Sequence, residues 1–162
     1  MTVVSPSFDL DAVEWRRIQG DDPAGYKVDI EVSLLGYDLD SGRLDMLLRY
    51  APGGHCRRHR HVASTVTMVL EGEQFLKEYE ADGSTRSVHR KKGDYALSKA
   101  DAHMHDEWGG PEGGTVLLSM TAADGVLFEY FDAAMTESWT LSIEEYVDAW
   151  NTGAIYGERP TS

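Results

Sequence analysis

The chain has 162 residues, with 15 Lys and Arg against 28 Asp and Glu, a formal net charge of -13, and one cysteine, Cys56. That balance repels nucleic acid and anionic membrane surfaces at long range, and a lone thiol excludes an intramolecular disulfide. No apolar run reaches the roughly 18 residues of a membrane span, and Met1 to Pro6 carries neither the basic nor the apolar region of a secretory signal. The expectation is one domain over residues 1-162 in a reducing cytoplasm, with no nucleic-acid or membrane partner.

Residues 1-12 mix Ser, Pro and Asp without a period and read as a loose arm, followed by a candidate short strand from Val13 to Ile18. After the turn signal Gly20 to Gly25, Val28, Ile30, Val32 and Leu34 alternate with Asp29, Glu31 and Ser33, the period of a half-buried strand. A polar turn from Gly36 to Gly42 leads to a partner strand with Leu44, Met46, Leu48 and Tyr50 on one face, which predicts an antiparallel pair. Ala51-Pro52-Gly53-Gly54 breaks that strand. Ser64 to Leu70 is β-branched and apolar, Glu71-Gly72-Glu73 reads as a turn, and Gln74 to Tyr79 as the returning strand. Further strands are expected at Thr85 to His89, Gly93 to Leu97, Thr115 to Thr121 and Val126 to Phe131. The glycines at 109, 110, 113 and 114 around Pro111 read as a loop. About ten short strands at even spacing predict an all-β sandwich or barrel over residues 26-132 or so. The end differs: Ser142 with Glu145 three residues on is a capping box, and Ile143, Tyr146, Val147 and Trp150 share one helical face. A short C-terminal helix over about 142-151 follows. Core candidates are Met46, Leu48, Tyr50, Met68, Leu70, Leu117, Phe128 and Tyr130.

The chemistry concentrates in Gly54-His55-Cys56-Arg57-Arg58-His59-Arg60-His61. In an extended chain His59 and His61 point the same way and Arg60 the opposite way, so two imidazoles can share one metal ion. A third nitrogen must come from elsewhere, and the later histidine-rich segment is Asp101 to Trp108, which holds His103 and His105. Arg57, Arg58 and Arg60 have no acid between them. They are either a solvated basic loop pairing with nearby carboxylates or the source of one arginine, Arg57, aimed at an anionic substrate beside the metal.

Gly54-x4-His59-x-His61, then ten residues and Gly72, with a second motif opening on Gly93-Asp94-Tyr95, resembles the cupin superfamily over about residues 43-121. The resemblance implies a double-stranded β-helix, or jelly-roll, barrel with the metal in its mouth and the short helix outside. Two departures bear on the ligands. The glutamate usual three or four residues after the second histidine is replaced by Thr65 and Val66, which leaves a three-His site. Direct counting in the second motif lands on Met104, so the third ligand is His105 or His103; the spacing to Trp108 resembles that of related cupins and favours His105.

Three neutral imidazoles suit Fe(II), Zn(II), Mn(II), Ni(II) or Cu(II). Resemblance to three-His cupins that cleave acetylacetone or dihydroxyacetophenones favours Fe(II) and implies a dioxygenase acting on a small dicarbonyl or hydroxyketone, with no nicotinamide or flavin. Thr65 and Thr67 are expected to line the barrel near the metal, where a hydroxyl orients a water or substrate oxygen. Two other readings stand beside this one. The first is a non-catalytic cupin sensing a metal or small molecule, similar to the zinc-binding cupin halves of anti-sigma regulators. The second is a metal-assisted isomerase or lyase, whose base would be Tyr50, Tyr79, Glu107 or His103. Cupins resembling this chain are commonly dimers or tetramers, and exposed sheet edges with the C-terminal helix make a homo-oligomer the expectation.

Overall fold

The structure is a computed structural model and describes residues 1-22 and 24-154. In chain order its elements are β1 Thr2–Val3, β2 Arg16–Asp21, β3 Lys27–Asp38, β4 Arg43–Tyr50, β5 His59–His61, β6 Ser64–Tyr79, β7 Thr85–Lys91, β8 Tyr95–Ser98, β9 His105–Thr121, β10 Val126–Phe131, β11 Ser138–Ser142 and α1 Ile143–Thr152. The sheet runs β1-β3-β4-β9-β5-β10-β11, with β2 on β3, and β6 pairs with β7, β8 and β9. All of these strand pairings are antiparallel, and the sheet curls into a jelly-roll barrel. Strand β9 ties it together: its second half lies between β4 and β6, and its first half meets β5 and β6.

The predicted pair β3/β4 forms in register, Val32 opposite Leu48 and Leu34 opposite Met46. Its alternating residues Val28, Ile30, Val32 and Leu34 are buried with Leu44, Met46, Leu48 and Tyr50, joined by Val116, Leu118 and Met120 of β9. Each such side chain stabilises the fold by roughly 1.5–3 kcal/mol relative to exposure. Burial on one face only fixes the register, because a one-residue slip would turn the whole apolar set to water.

Several local expectations change. The turn at 71-73 and the loop at 109-114 are strand: β6 and β9 run through both glycine clusters and shift register there, between Val69 and Glu71 and between Gly72 and Gln74. Gly72 has φ 62° and Gly113 φ 82°, and a Cβ on Gly114 would lie 2.2 Å from the Glu73 carbonyl oxygen. Glycine here marks close strand approach and bulges rather than a chain reversal. On β6 the inward set is Thr65, Thr67 and Val69, so Met68 is exposed and Leu70 only half-buried; Leu117 and Tyr130 are also half-buried. Within the N-terminal arm Thr2 and Val3 pair with Tyr37 and Gly36, and the second strand starts at Arg16 rather than Val13.

Helix α1 has the capping box expected of it. The Ser142 hydroxyl accepts from the Glu145 amide at 3.1 Å, the Glu145 carboxylate accepts from the Ser142 amide at 2.7 Å, and Gly153 closes the helix with φ 74°. Its face of Ile143, Tyr146, Val147 and Trp150 is buried. The Arg16 guanidinium lies 3.9 Å from the Trp150 ring centroid and donates to the Trp150 carbonyl, tying the helix to β2. Among the described residues no helix is long and apolar enough to cross a membrane.

Candidate metal centre

Strand β5 is three residues long and lies between β9 and β10. His59 is the direct partner of His105 on one side and of Tyr130 on the other, and His61 is the partner of Phe128. Directly opposed residues of an antiparallel pair point to the same face about 5 Å apart, so this register delivers His105 to the β5 histidines. His59, His61 and His105 are all buried, and one ring nitrogen of each lies within 4.8 Å of the others. The His59 and His61 Nε2 atoms are 3.3 Å apart.

Each Nδ1 is held by a scaffold oxygen: that of His59 by the Arg57 carbonyl at 2.6 Å, that of His61 by the Thr65 hydroxyl at 3.0 Å, and that of His105 by the His103 carbonyl at 3.1 Å. With carbonyls on Nδ1 of His59 and His105, the proton there belongs to Nδ1 and the Nε2 lone pair is free. The Nε2 of His105 is buried and hydrogen-bonded to nothing. Burial and the neighbouring imidazoles push the His105 ring down to about 4 and the His61 ring well below its ordinary value, so both are neutral near pH 7. Converging imidazole nitrogens on oriented rings are the donor set a divalent metal requires, and their tethered Nδ1 atoms are the outer contacts that ligand histidines normally make.

A carboxylate faces the same point. Glu107 lies two residues beyond His105 on the same side of β9, with Oε1 3.5 Å from His59 Nε2 and Oε2 3.7 Å from His105 Nε2. Burial pushes its carboxyl up, but the His59 and His105 rings and hydrogen bonds from Cys56 and Tyr50 outweigh that and hold it below its ordinary value. Gln74 donates to Glu107 at 3.3 Å and to the Tyr50 hydroxyl at 2.9 Å.

The cluster separates two spaces. On one side a cavity of about 40 Å³ is walled by Ile30, Met46, Leu48, Leu118, Phe128 and Arg57. On the other a polar basin of about 380 Å³ reaches His61, His105 and Glu107.

The sequence matches no protein-family model and no curated protein. Solved structures do match. A proposed acetylacetone dioxygenase from Methylibium petroleiphilum PM1 superposes with a TM-score of 0.67 at 17% identity, covering 93% of this chain and 96% of that one. A cupin 2 conserved barrel domain protein from Rhodopseudomonas palustris superposes at 0.55 and 14% identity, with 93% of each chain covered. The chain has the cupin fold. An acetylacetone dioxygenase from Acinetobacter johnsonii shares it with a TM-score of 0.64 at 15% identity, over 94% of this chain and 99% of that one.

Within this cupin barrel the sequence-derived residues separate cleanly. His59, His61 and His105 converge; His103 does not, since its side chain is exposed and lies 3.3 Å from Glu80. Thr65 is fully buried and supports His61 rather than opening onto the basin, where Thr67 stands instead. Arg57 borders the small apolar cavity beside His59 and Glu107. Arg58 is engaged elsewhere, in a two-pronged ion pair with Asp106, and Arg60 pairs with Glu129 and Asp101. His55 is stacked between Tyr26 and Trp108 at 4.5 and 5.1 Å and takes no part in the cluster. Glu107 stood in the sequence only as one of several bases; the signal for its place is the His-x-Glu alternation at 105-107, which puts both side chains on one face of a strand.

Proposed function

We propose that this chain is a metal-dependent oxygenase, with His59, His61 and His105 as ligands of one iron(II) ion and a small chelating carbonyl compound as substrate. The observation that carries the reading is the convergence of three buried imidazoles within 4.8 Å, each with its Nδ1 tied to a scaffold oxygen. Bound there, the ion would supply Lewis-acid and template chemistry to a carbonyl substrate and to oxygen. Glu107 adds a carboxylate on the His59 and His105 side, the donor that the first histidine motif lacks at Thr65 and Val66. Thr65 fixes the plane of the His61 ring, and the Arg57 and His103 carbonyls do the same for His59 and His105. The apolar wall of Met46, Leu48, Leu118 and Phe128 keeps water from the inner side, while substrate enters from the polar basin. Two structural neighbours bearing the acetylacetone dioxygenase name support a dicarbonyl as the first compound to try.

The test is elemental analysis of tag-free protein by plasma mass spectrometry, followed by an oxygen-electrode screen of the iron-loaded protein with 1,3-dicarbonyls and hydroxyketones. Near-stoichiometric iron with substrate-dependent oxygen uptake is the expected result. Iron-loaded protein that consumes no oxygen with any member of the panel overturns the oxygenase assignment.

A further inference from the structure

Strands β6 and β7 carry a two-rung ladder beside the metal centre. Glu78 is the register partner of Arg86, and Gln74 is the partner of Arg90. On the first rung the Glu78 carboxylate closes the Arg86 guanidinium, with N to O distances of 2.6 and 3.1 Å. On the second the acceptor is neutral: Arg90 Nη1 donates to the Gln74 amide oxygen at 2.9 Å. Arg17, Arg49, Arg58 and Arg60 likewise each meet an Asp or Glu side chain. In a chain with 28 acidic residues, Arg90 meets no carboxylate among the described residues.

Its position is preset. Gln74 is 2% exposed, and its Nε2 donates to both the Tyr50 hydroxyl and Glu107, so its amide oxygen is the atom left for Arg90. One guanidinium nitrogen is thereby pinned, and this half-buried side chain lines the 380 Å³ basin that reaches His61, His105 and Glu107. The acids around that basin are already engaged: Glu78 by Arg86, Asp101 by Arg60, and Glu107 by Gln74. Lys99 adds a second cation at the rim. A guanidinium with a fixed fork and no counter-ion recognises a carboxylate in two-pronged geometry better than any neutral group.

From this we infer that Arg90 holds the carboxylate of the compound taken by the metal centre, which is therefore a small oxo acid with its carbonyl oxygen toward the imidazole cluster. Gln74 is the positioning residue that aims Arg90. The inference rests on the metal-centre reading above and sharpens it, because it replaces a neutral diketone with an anion as the preferred ligand. The cavity behind His59 is walled mainly by apolar side chains, which favours the polar basin as the place for a carboxylate.

Acetoacetate and acetylacetone decide the matter, since they differ by a carboxylate oxygen in place of a methyl group. Anaerobic calorimetric titration of the iron(II)-loaded protein should give a preference for acetoacetate that falls about tenfold or more in Arg90→Gln, with acetylacetone binding and iron content little changed. Arg90→Lys should retain part of the preference. An equal loss for both compounds in Arg90→Gln, or an acetoacetate preference that does not depend on residue 90, overturns the inference. Failure of the wild-type protein to take up iron overturns the metal-centre reading instead; Arg90-dependent binding of acetoacetate to the metal-free protein then still decides the role of Arg90.

Discussion

His59 and His105 are direct register partners across β5 and β9, with ring centroids 4.5 Å apart. The pairing decides which second-motif histidine reaches the first motif: His105 opens β9, whereas His103 precedes the strand and turns its ring to Glu80. His59→Ala and His105→Ala should therefore each reduce bound metal from near one equivalent to near zero, with the far-UV circular dichroism of the wild type retained. His103→Ala should bind metal as the wild type does. Loss of metal in His103→Ala, measured by plasma mass spectrometry on dialysed samples, would contradict the assignment.

Thr65 supports His61 through a 3.0 Å contact between its hydroxyl and Nδ1, and the hydroxyl also donates to the Ala63 carbonyl at 3.0 Å. Its hydrogen is thus committed to Ala63, and the oxygen accepts from the ring. Thr65→Val keeps the shape and the strand preference but removes the acceptor. Outer contacts of this kind tune metal affinity by about 10–100-fold. Competition against a chromophoric chelator should show a loss in that range, with thermal stability of the metal-free protein changed far less than by a cavity-forming substitution.

Much of this was legible beforehand because alternation is a strong signal. The β3/β4 pair, the His59 and His61 face and the Ser142–Glu145 cap all follow from period and spacing. The glycine clusters misled for a physical reason: the same residue that allows a turn allows a bulge and close strand contact, and only the neighbours, here the Glu73 carbonyl against Gly114, show which. Met68 faces out by plain alternation, since Thr65, Thr67 and Val69 hold the inner face of β6 ahead of the first register shift. Arg90 was hidden because its place depends on the pairing of β6 with β7, which no local pattern carries.

Arg58 and Asp106 show what the remaining basic residues of the histidine segment do. Their side chains are 12% and 10% exposed, joined at 2.8 and 3.1 Å, and the Tyr79 hydroxyl donates to the same carboxylate at 2.7 Å. Removing one partner of such a pair strands the other charge, at a cost of about 3–5 kcal/mol. Arg58→Met should lower the midpoint of urea unfolding accordingly, and Arg58→Met with Asp106→Leu should recover part of the loss. A single variant as stable as the wild type would show that the pair contributes nothing net.

Glu107 is the last residue whose role can be separated by substitution. It is buried and bonded to Gln74, with its two oxygens 3.5 Å from His59 Nε2 and 3.7 Å from His105 Nε2. Glu107→Gln preserves size and leaves an amide able to bond Tyr50 or Gln74, so the fold should persist. What it removes is the negative charge held at those distances beside the imidazole cluster. A divalent ion should then bind at least about tenfold more weakly, and more weakly than in Thr65→Val, which leaves that charge in place. Metal titrations of the two variants at one pH make the comparison direct. Equal affinities in Glu107→Gln and the wild type would show that the carboxylate serves the Gln74 and Tyr50 network and not the ion.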